Sequence, residues 1–424
     1  MPDRVRRFTR RRFLSTAAQV GAAAALPHFV PGTALGKDGR VAPGERIVLG
    51  AIGIGGRGSG DLACFLNEPD VQFVAIADIR KERRLAVKAT ADSHYGNQDC
   101  TMYRDLRELL ARTDLDAVLI ATGDRWHTMA SILAAKAGKD IYCEKPCSMT
   151  IAESRALADT IRRYARVYQA GTQRRSVGNF RYVMELVHSG QLGKLHTVHA
   201  NTLAPGTSGH WLPAEAEPPA DVVDWNLWLG PCPWRPFNAA YVKGGWRGFF
   251  DFHGGGILEW GSHTVDLCQW ACRADDTAPV QYDPNPSGCV AHYANGIKLV
   301  MRDTGWLGLG TCSARFEGDA GWVETGDSGK IEVSESLRAK KKIFYEAGTS
   351  PDKHIRNFLD CVRSRALPRS NADAAGQSHI ACHAAYIAWQ LGRKLTFDPA
   401  HDTFVGDEEA NRMRSRALRE PWRV

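Results

Sequence analysis

Two short motifs carry residues that could move a proton at an alcohol carbon. The first places Lys145 in an E-K-P triplet after an apolar run, and the second places Glu259 and His263 four residues apart. A lysine ammonium could hydrogen-bond a reacting hydroxyl and stabilise charge on its oxygen, and a histidine could accept the hydroxyl proton as hydride leaves the same carbon. If residues 254–266 form a helix, Glu259 and His263 share one face, where Glu259 would orient the imidazole or hold substrate hydroxyls.

Each motif also has a plain structural interpretation. Lys145 on its own would be a solvated loop cation, and His263 would be a core histidine with a partner one helical turn away. The chemical interpretation therefore depends on a cofactor site in the same part of the chain.

A glycine-rich turn directly after the first apolar run is typical of dinucleotide-binding sites. Its residues are Gly53, Gly55, Gly56, Arg57 and Gly58. In the G-x-G-x-x-G pattern the first glycine allows a tight turn, the second lets the backbone approach a pyrophosphate, and the third lets helix and strand pack closely. The pattern predicts a bound dinucleotide.

An acidic residue completes this pattern. Asp78 ends the second apolar run, 20 residues after Gly58, where a carboxylate would accept hydrogen bonds from the adenosine ribose hydroxyls. Its charge disfavours the 2′-phosphate of NADP, so the sequence favours NAD. Arg57 and Arg80 are near enough to offset the repulsion, which leaves NADP open. As a purely structural residue, Asp78 would cap the following helix.

Apolar runs that alternate with amphipathic segments predict a parallel sheet with helices on both faces. The predicted strands are 47–52, 71–77, 117–121, 140–143 and 167–170. The predicted helices are 59–66, 81–93, 106–112, 126–137, 152–164 and 180–188. We therefore expect an α/β Rossmann domain with a doubly wound parallel sheet over residues 45–170.

The pattern changes after residue 170, where alternating strands and irregular stretches predict a second, α+β domain over residues 171–404. The predicted strands are 195–203, 288–293, 298–302, 313–316 and 329–333, and the predicted helices are 353–363 and 372–392. The arginine-rich residues 405–424 are predicted to form a C-terminal arm over a neighbouring surface.

The N-terminus has the charged, apolar and small-residue order of an export signal. Arg10, Arg11 and Arg12 head a sequence that resembles the twin-arginine motif, and an apolar stretch follows. Six arginines and one aspartate precede residue 37, so this segment carries most of the formal net charge of +7. We expect residues 1–36 to be a twin-arginine signal peptide and the protein to be periplasmic or otherwise exported; a basic disordered arm is the alternative.

Composition argues against several other classes of protein. Without its N-terminal segment the chain is nearly neutral, which gives no electrostatic reason to expect nucleic acid as a partner. No apolar window of about 18 residues occurs beyond the N-terminus, so we expect no stable membrane span after signal removal. The 11 cysteines form no C-x-x-C pair and lack the usual zinc-site partners, and we predict no metal.

Together these motifs resemble the Gfo/Idh/MocA family of sugar oxidoreductases. The matching segments are Gly53–Gly58, Asp78, Thr122–His127, Glu144–Pro146, Gly171–Arg175 and Gly254–Asp266. The resemblance implies a Rossmann domain followed by an α+β domain with a large open antiparallel sheet, which often forms dimer or tetramer contacts. We accordingly expect a homo-oligomer.

The resemblance also implies roles for individual residues. Lys145 and His263 would be the catalytic pair, and Thr122, His127 and Glu144 would lie at the nicotinamide cofactor. Family dehydrogenases commonly have an aspartate four residues before the histidine, whereas this chain has the longer Glu259.

Several aromatic and basic residues could bind a polyhydroxylated ligand, because tryptophan faces stack on sugar C–H surfaces and arginines donate to hydroxyls or carboxylates. The candidates are Arg174, Arg175, Tyr182, His210, Trp211, Trp246 and Arg247, with His127 as a further one. The alternative for each is packing or a surface pair. We expect a sugar, polyol or glycoside as the small-molecule partner.

Export would constrain the mechanism, because we expect no useful pool of free NAD outside the cytoplasm. An exported enzyme would hold its cofactor tightly and restore it within one cycle. In one version a second carbonyl compound takes the hydride back from the cofactor, giving a sugar oxidoreductase.

In the other version, a glycoside is oxidised, eliminates its aglycone, adds water and is reduced again. This redox-cycling glycosidase needs another base, such as a tyrosine, His127 or His210. A non-catalytic sugar-binding protein is the remaining alternative.

Overall fold

The structure is a computed structural model that describes residues 41–202, 210–302, 307–345 and 350–423. The predicted signal peptide lies outside the described residues. Residues 47–424 form one compact unit, and the described part of the preceding segment contains a short 3-10 helix at Pro43–Glu45.

A six-stranded parallel sheet opens the compact unit. Its strands are β1 (Ile47–Ile54), β2 (Val71–Ala77), β3 (Thr101–Tyr103), β4 (Ala117–Ala121), β5 (Asp140–Cys143) and β6 (Tyr168–Ala170). They lie in the order β3-β2-β1-β4-β5-β6, and all pairings are parallel. The strand order reverses between β1 and β4, so a ligand crevice is expected at their carboxyl ends. The predicted doubly wound Rossmann sheet is confirmed.

Helices cover both faces of this sheet. They include α1 (Gly56–Leu66), α2 (Lys81–Tyr95), α3 (Leu106–Leu110), α4 (Asp124–Lys136) and α5 (Ile151–Tyr164). Strand β4 is wholly buried and apolar: Val118 and Ile120 pack in one hydrophobic cluster, and Ala117 and Leu119 pack in the cluster on the opposite face. A strand buried on both faces is encoded as a continuous apolar run.

The second half of the chain builds a ten-stranded sheet. Its strands are β7 (Leu195–Asn201), β8 (Gln281–Asn285), β9 (Gly288–His292), β10 (Lys298–Arg302), β11 (Ala314–Gly318), β12 (Gly321–Thr325), β13 (Lys330–Val333), β14 (Lys342–Ile343), β15 (Leu395–Asp398) and β16 (Thr403–Phe404). Their order is β14-β13-β12-β11-β7-β10-β9-β8-β15-β16. The sheet is mostly antiparallel, as predicted, but β10 pairs in parallel with β7.

The helix that carries the second catalytic motif packs on this sheet. The helices of this half are α6 (Gly178–His188), α7 (Trp225–Leu229), α8 (Ala239–Val242), α9 (Gly256–Ala271), α10 (Asp352–Ser364), α11 (Ala372–Leu391) and α12 (Glu408–Arg412). Val265 of α9 and Ile380 of α11 share one core with Val198 of the sheet. This core fixes α9, and with it Glu259 and His263.

Residues 210–253, between β7 and α9, contain no strand of either sheet and form what we call the lid segment. Its core is a cluster of aromatic rings, in which Trp225 and Trp228 stack with centroids 4.6 Å apart. Val222 O accepts the N–H of Lys81 (3.0 Å), and Leu227 O accepts Nε1–H of Trp126 (2.8 Å). These bonds hold the lid segment against the loops that follow β2 and β4.

The chain ends by running back over the Rossmann half. Arg416 Nε donates to the buried carboxylate of Glu153 (2.6 Å), and Trp422 packs edge-on against Trp126 with centroids 4.8 Å apart. Residues after α12 therefore lie as an arm along the compact unit. Among the described residues, none of the helices combines the length and apolarity needed to cross a bilayer.

Candidate active site

The glycine-rich turn joins β1 to α1, and two of its positions require glycine. Gly53 has a φ of +69°, and a Cβ there would lie 2.5 Å from Cγ2 of Thr122. A Cβ on Gly58 would lie 2.7 Å from Cβ of Ala121, because α1 packs closely on β4. Gly55 precedes α1, whose first N–H groups have no side-chain cap. This uncapped backbone cradle fits the pyrophosphate of a dinucleotide.

Asp78 lies beside this turn, where β2 ends. One carboxylate oxygen accepts the N–H of Ile54 (3.1 Å) and the other accepts the N–H of Arg80 (2.9 Å). Burial raises the pKa of Asp78, while these two N–H groups and the charges of Arg83 and Arg80 lower it. Arg80, rather than Asp78, is the N-cap residue of α2. The carboxylate is thus fixed at the cavity edge and keeps lone pairs for the hydroxyls of a ribose.

Arg57 joins two carboxylates beside the turn. Its Nη2 lies 2.9 Å from Asp61 Oδ1, and its Nε lies 3.3 Å from Glu144 Oε1. Burial, and then the charge of Glu144, raise the pKa of Asp61 above its usual value, while the charge of Arg57 opposes this shift. A Cβ on Gly171 would lie 2.4 Å from Glu144 Oε1, so this glycine makes room for the carboxylate.

His127 connects the end of β4 to the loop that carries Lys145. Its Nδ1 lies 2.7 Å from Pro146 O, and its Nε2 lies 3.2 Å from Thr122 O. Both ring nitrogens face carbonyl oxygens, so the imidazole positions the two loops.

Lys145 is held by α9. Its Nζ donates to the backbone carbonyl of Glu259 (2.9 Å) and to Oε1 of the same residue (3.2 Å). Its side chain is 15% exposed, so the ammonium is largely withdrawn from solvent. Two of its three donors are occupied by Glu259, which leaves one for a ligand.

Glu259 is the centre of a network of charged groups. Its Oε2 lies 3.0 Å from Nε2 of His253 and 3.9 Å from Nε of Arg247. The hydrogen bond with His253, and then the charge of Lys145, hold the pKa of Glu259 far below its usual value in spite of burial. Glu259 therefore remains a carboxylate and fixes the position of the Lys145 ammonium.

His263, one helical turn after Glu259, has a different partner. Arg174 Nη1 donates to His263 Nε2 (2.8 Å), and Arg174 also forms a two-point ion pair with Asp327. Burial, and then the charges of Arg174 and Lys145, hold the pKa of His263 well below its usual value. Because a guanidinium only donates, Nε2 accepts and Nδ1 carries the ring hydrogen of a neutral imidazole.

Most of these groups border one cavity of about 540 Å³. The predicted residues that line it are Gly53, Gly55, Gly56, Arg57, Gly58, Asp78, Arg80, Thr122, His127, Glu144, Lys145, Arg174, Trp246, Arg247, Glu259 and His263. The lid segment contributes Trp228 and Val242 to the wall. The structure thus brings the predicted cofactor and catalytic residues together.

Comparison with known proteins assigns the chain to a family. The NAD-binding Rossmann fold of the Gfo/Idh/MocA oxidoreductase family matches residues 47–172, and the C-terminal α/β domain of that family matches residues 181–424. The chain belongs to the Gfo/Idh/MocA oxidoreductase family.

Named members of the family resemble this chain over part of their length. The chain is 27% identical to myo-inositol 2-dehydrogenase of Thermotoga maritima over 175 residues, which are 41% of this chain and 48% of that protein. It is 30% identical over 205 residues, 44% of each chain, to a glycosyl hydrolase family 109 protein of Saccharopolyspora erythraea. The chain therefore spans just under half the length of these curated relatives.

The fold is shared more widely across solved Gfo/Idh/MocA-like structures. Aldose-aldose oxidoreductase from Caulobacter crescentus superposes with a TM-score of 0.62 at 17% identity, over 83% of this chain and 100% of that chain. This similarity concerns the fold alone.

Two of the predicted ligand-binding residues are engaged elsewhere in the fold. Arg175 is buried and paired with Asp266 and Asp275, so its guanidinium is occupied by carboxylates of the protein. Tyr182 donates through its hydroxyl to Lys340 O (3.2 Å) on another part of the surface. Both predictions fail on placement, because neither side chain lines the cavity.

Two further candidates lie at the start of the lid segment. His210 is exposed and does not line the cavity. Trp211 stacks on Phe249 with centroids 4.8 Å apart. The guanidinium of Arg235 also packs over the Trp211 ring, 3.7 Å from its centre. Trp211 therefore contributes to the aromatic packing of the lid segment rather than to the cavity wall.

Three residues near the cavity were missed by sequence reasoning. His253 is buried beside Glu259 and also lies 3.7 Å from Asp124. Arg125 packs on the lid segment, and Arg83 donates to Ile54 O (2.7 Å) at the glycine turn. Arg83 had a usable signal, since it lies in the first turn of a helix that follows Asp78, and Arg125 had one as a member of the segment Thr122–His127. The position of His253 depends on a fold-back of the lid segment that no local pattern indicates.

Proposed function

We propose that this protein is an exported, NAD-dependent oxidoreductase that acts at a hydroxyl-bearing carbon of a sugar or polyol and keeps its cofactor throughout the cycle. One observation carries the proposal: the glycine turn, Lys145 and His263 border a single cavity. The inositol dehydrogenase of Thermotoga maritima, as a partial relative, supports a polyol or sugar as the substrate class.

The residues would divide the work as follows. The glycine turn and Asp78 would hold NAD, which when bound supplies the hydride acceptor or donor. Lys145 would give its remaining N–H to the substrate oxygen and stabilise the charge that develops there. Glu259 would keep the ammonium aligned through its two contacts with Nζ.

His263 would be the proton acceptor. Its depressed pKa keeps the imidazole unprotonated at neutral pH, but its Nε2 lone pair is shared with Arg174. A substrate hydroxyl that displaces the Arg174 nitrogen would meet a base ready to accept its proton. Arg174 would then remain anchored by Asp327 beside the reacting oxygen.

The choice of NAD over NADP rests on Asp78. Its half-buried carboxylate is anchored by two backbone N–H groups at the cavity edge, so a 2′-phosphate would meet a fixed acidic group. Arg80 offers little compensation, because it pairs with Glu82 and donates to Val242 O. Titration of cofactor-free protein with both nucleotides tests this choice, and a preference for NADP would overturn it.

Cofactor retention is supported by the position of the lid segment. Val242, Lys243 and Gly244 line the cavity together with Asp78 and Arg80. Arg80 Nη1 donates to Val242 O (3.1 Å), which joins the lid to the adenosine end of the cavity. A nucleotide bound there would leave only after this contact opens.

A redox-cycling glycosidase is the second candidate, and the glycosyl hydrolase family 109 relative favours it. The extra base proposed for that reaction is harder to find. Both ring nitrogens of His127 face carbonyl oxygens, and His210 lies outside the cavity wall. The oxidoreductase therefore remains the first choice.

One experiment separates these candidates. Purified protein is denatured to identify released nucleotide by mass spectrometry, and native protein is mixed with sugars, polyols and nitrophenyl glycosides while absorbance is followed at nicotinamide and nitrophenol wavelengths. Bound NAD that is reduced by a sugar supports the oxidoreductase. Aglycone release without net reduction supports the glycosidase, and sugar binding with neither signal supports a binding protein.

A homo-oligomer is also part of the proposal. Helices α9 and α11 pack on one face of the ten-stranded sheet, and the other face carries a polar and aromatic group that includes Arg315, Glu317 and Trp322. Arg315 lies 3.9 Å above the Trp322 ring. Light scattering during size-exclusion chromatography should show a dimer or tetramer, and a monomer would contradict this.

A further inference from the structure

Arg125 is a buried cation that forms no ion pair with any carboxylate of the described residues. Its Nε donates to Trp228 O (2.6 Å), and its guanidinium lies 3.5 Å from the centre of the Trp228 ring. Nη1 is buried and has no hydrogen-bond partner within the described parts of the chain. Burial lowers the pKa of Arg125 to about 10, so the side chain is still charged at neutral pH.

The neighbouring carboxylate does not neutralise this charge directly. Asp124 Oδ2 accepts the N–H of Gly254 (3.3 Å) and lies 3.7 Å from His253 Nε2. Other cavity arginines have partners: Arg104 pairs with Asp224, and Arg174 pairs with Asp327. Leaving one buried guanidinium unpaired is strongly unfavourable unless a ligand supplies the missing charge.

The location of Arg125 places that ligand at the end of the cavity that is lined by Lys145 and Glu259. Its guanidinium lies 5.8 Å from the Trp246 ring, and Trp246 packs edge-on against His253. His253 in turn bonds Glu259, the residue that holds Lys145. The pyrophosphate cradle has its own cation, Arg57, at the glycine turn.

The charges around the cavity point to the same group. Nine arginine and lysine side chains line the wall against four carboxylates, but Arg104 and Arg174 pair with Asp224 and Asp327, which lie just outside it. Arg125 has no such ion pair within the described residues, so a negatively charged group of a bound substrate would balance it.

We propose that Arg125 binds an anionic substituent of the substrate, so that the enzyme acts on acidic sugars, which carry a carboxylate or a phosphate. This rests on the oxidoreductase function proposed above. Stacking on Trp228 and close packing on Gly123 hold the guanidinium plane still, and a fixed guanidinium fork suits the paired oxygens of such a group.

The test compares matched neutral and acidic probes on the NAD-loaded protein. D-glucose, D-glucuronate and D-glucose 6-phosphate are titrated calorimetrically, and each is assayed for nicotinamide reduction. We expect the wild type to bind at least one acidic probe on the order of 10- to 100-fold more tightly than glucose, the range of a charge-assisted hydrogen bond. Whether glucuronate or the phosphate is preferred identifies the substituent.

Arg125→Met should abolish this preference, and Arg125→Lys should keep part of it. Arg235→Met is the matched control, because Arg235 also stacks on a lid tryptophan but pairs with Asp251 and does not line the cavity. It should leave the ratio of acidic to neutral binding unchanged. Circular dichroism identifies variants that fail to fold, and the wild-type preference alone tests the proposal in that case.

The remaining outcomes are distinct. Equal wild-type binding of neutral and acidic probes overturns the acidic-sugar inference while leaving sugar oxidation intact. An Arg125→Met variant that weakens NAD binding with an unchanged acid preference also overturns it, and assigns Arg125 to the cofactor. Acid-selective binding without reduction of any probe supports the Arg125 assignment but contradicts the oxidoreductase function.

Discussion

At the scale of single residues, the proposed reaction depends most directly on the Lys145 ammonium. Lys145→Met removes the positive charge but keeps much of the side-chain volume, so the cofactor should stay bound. We expect kcat to fall about 100- to 1000-fold, the usual loss when one donor to a developing oxyanion is removed. Stopped-flow absorbance measures the rate, and mass spectrometry of released nucleotide measures occupancy. Near-wild-type turnover would disprove the catalytic assignment.

The pairing of Arg174 with His263 leads to a pH prediction. Burial, and then the charge of the Arg174 guanidinium, lower the pKa of His263, so the unprotonated base should persist well below pH 6.5. In Arg174→Met the pKa should rise, and the acidic limb of kcat/KM should move to higher pH. Arg175→Met is an informative comparison, because that guanidinium pairs with Asp266 outside the cavity. An acidic limb that stays in place in Arg174→Met would show that His263 is not the titrating base.

The sequence predicted residues that belong to local motifs and missed those brought in from a distance. Lys145 and Glu259 stand in recognisable segments, and the structure places them 3.2 Å apart. His253 acquires its surroundings only when the lid segment folds back, so its own neighbours in the chain carry no signal. Arg125 stands in the matching segment Thr122–His127, but its contact with Trp228 of the lid segment is not visible in the sequence. Arg175 was chosen for its charge, which the fold uses for a buried pair with Asp266.

At the scale of elements, the contact of α1 with β4 predicts opposite effects for two glycines of the same helix. A Cβ on Gly58 would lie 2.7 Å from Ala121, whereas a Cβ on Gly60 would have nothing within 4 Å. Gly58→Ala should destabilise the fold by about 1–3 kcal/mol and weaken NAD binding, because the helix must move away from the strand. Gly60→Ala should stabilise the helix by about 0.5–1 kcal/mol. Urea unfolding tests both, and equal effects would contradict the close packing.

Two buried histidines of helix α11 lead us to expect that the protein loses stability in acid. Burial lowers the pKa of His379 to about 4 and that of His383 to about 3, from a usual value of 6.5. Below pH 6.5 the unfolded chain binds protons that the folded helix excludes. Stability should therefore fall as pH drops from 6.5 toward these values, by about 1.4 kcal/mol per pH unit for each histidine.

His383→Gln should reduce the slope of the unfolding free energy against pH by the contribution of one histidine. His196→Gln is the control and should change the slope much less, because His196 is exposed and its Nδ1 lies 2.9 Å from the hydroxyl oxygen of Thr197 rather than from a carboxylate. Thermal unfolding between pH 4 and 7 measures both variants. Parallel curves for wild type and His383→Gln would show that this histidine is already protonated in the folded protein.

Elements with strong patterns were predicted almost residue for residue. The strands at 71–77, 117–121 and 140–143 have the predicted bounds, because each is mostly apolar and buried, and 117–121 is so without interruption. The short strand β3 and the strand β8 were missed, since β3 is largely exposed and β8 contains a proline and an aspartate. Helix α1 starts at Gly56, three residues before the predicted start, because the glycines and polar residues of its first turns show no apolar helical pattern.

At the scale of the whole molecule, the proposed export route can be tested through its paired arginines. Changing both Arg10→Lys and Arg11→Lys keeps the charge of the segment while altering the motif. We expect the variant to accumulate in the cytoplasm with its cofactor bound, and immunoblots of cell fractions follow it. A variant that still reaches the periplasm would contradict the twin-arginine assignment.

The hydrogen bonds that Arg80 and Lys81 make to the lid segment would bear on the order in which the protein is assembled. The glycine turn is made early in synthesis, but Val222 and Val242 follow much later in the chain. If the cofactor is retained as proposed, a nucleotide could bind the unfinished protein and be enclosed as the later residues dock. An empty, fully folded molecule would then have to open these two contacts to be filled.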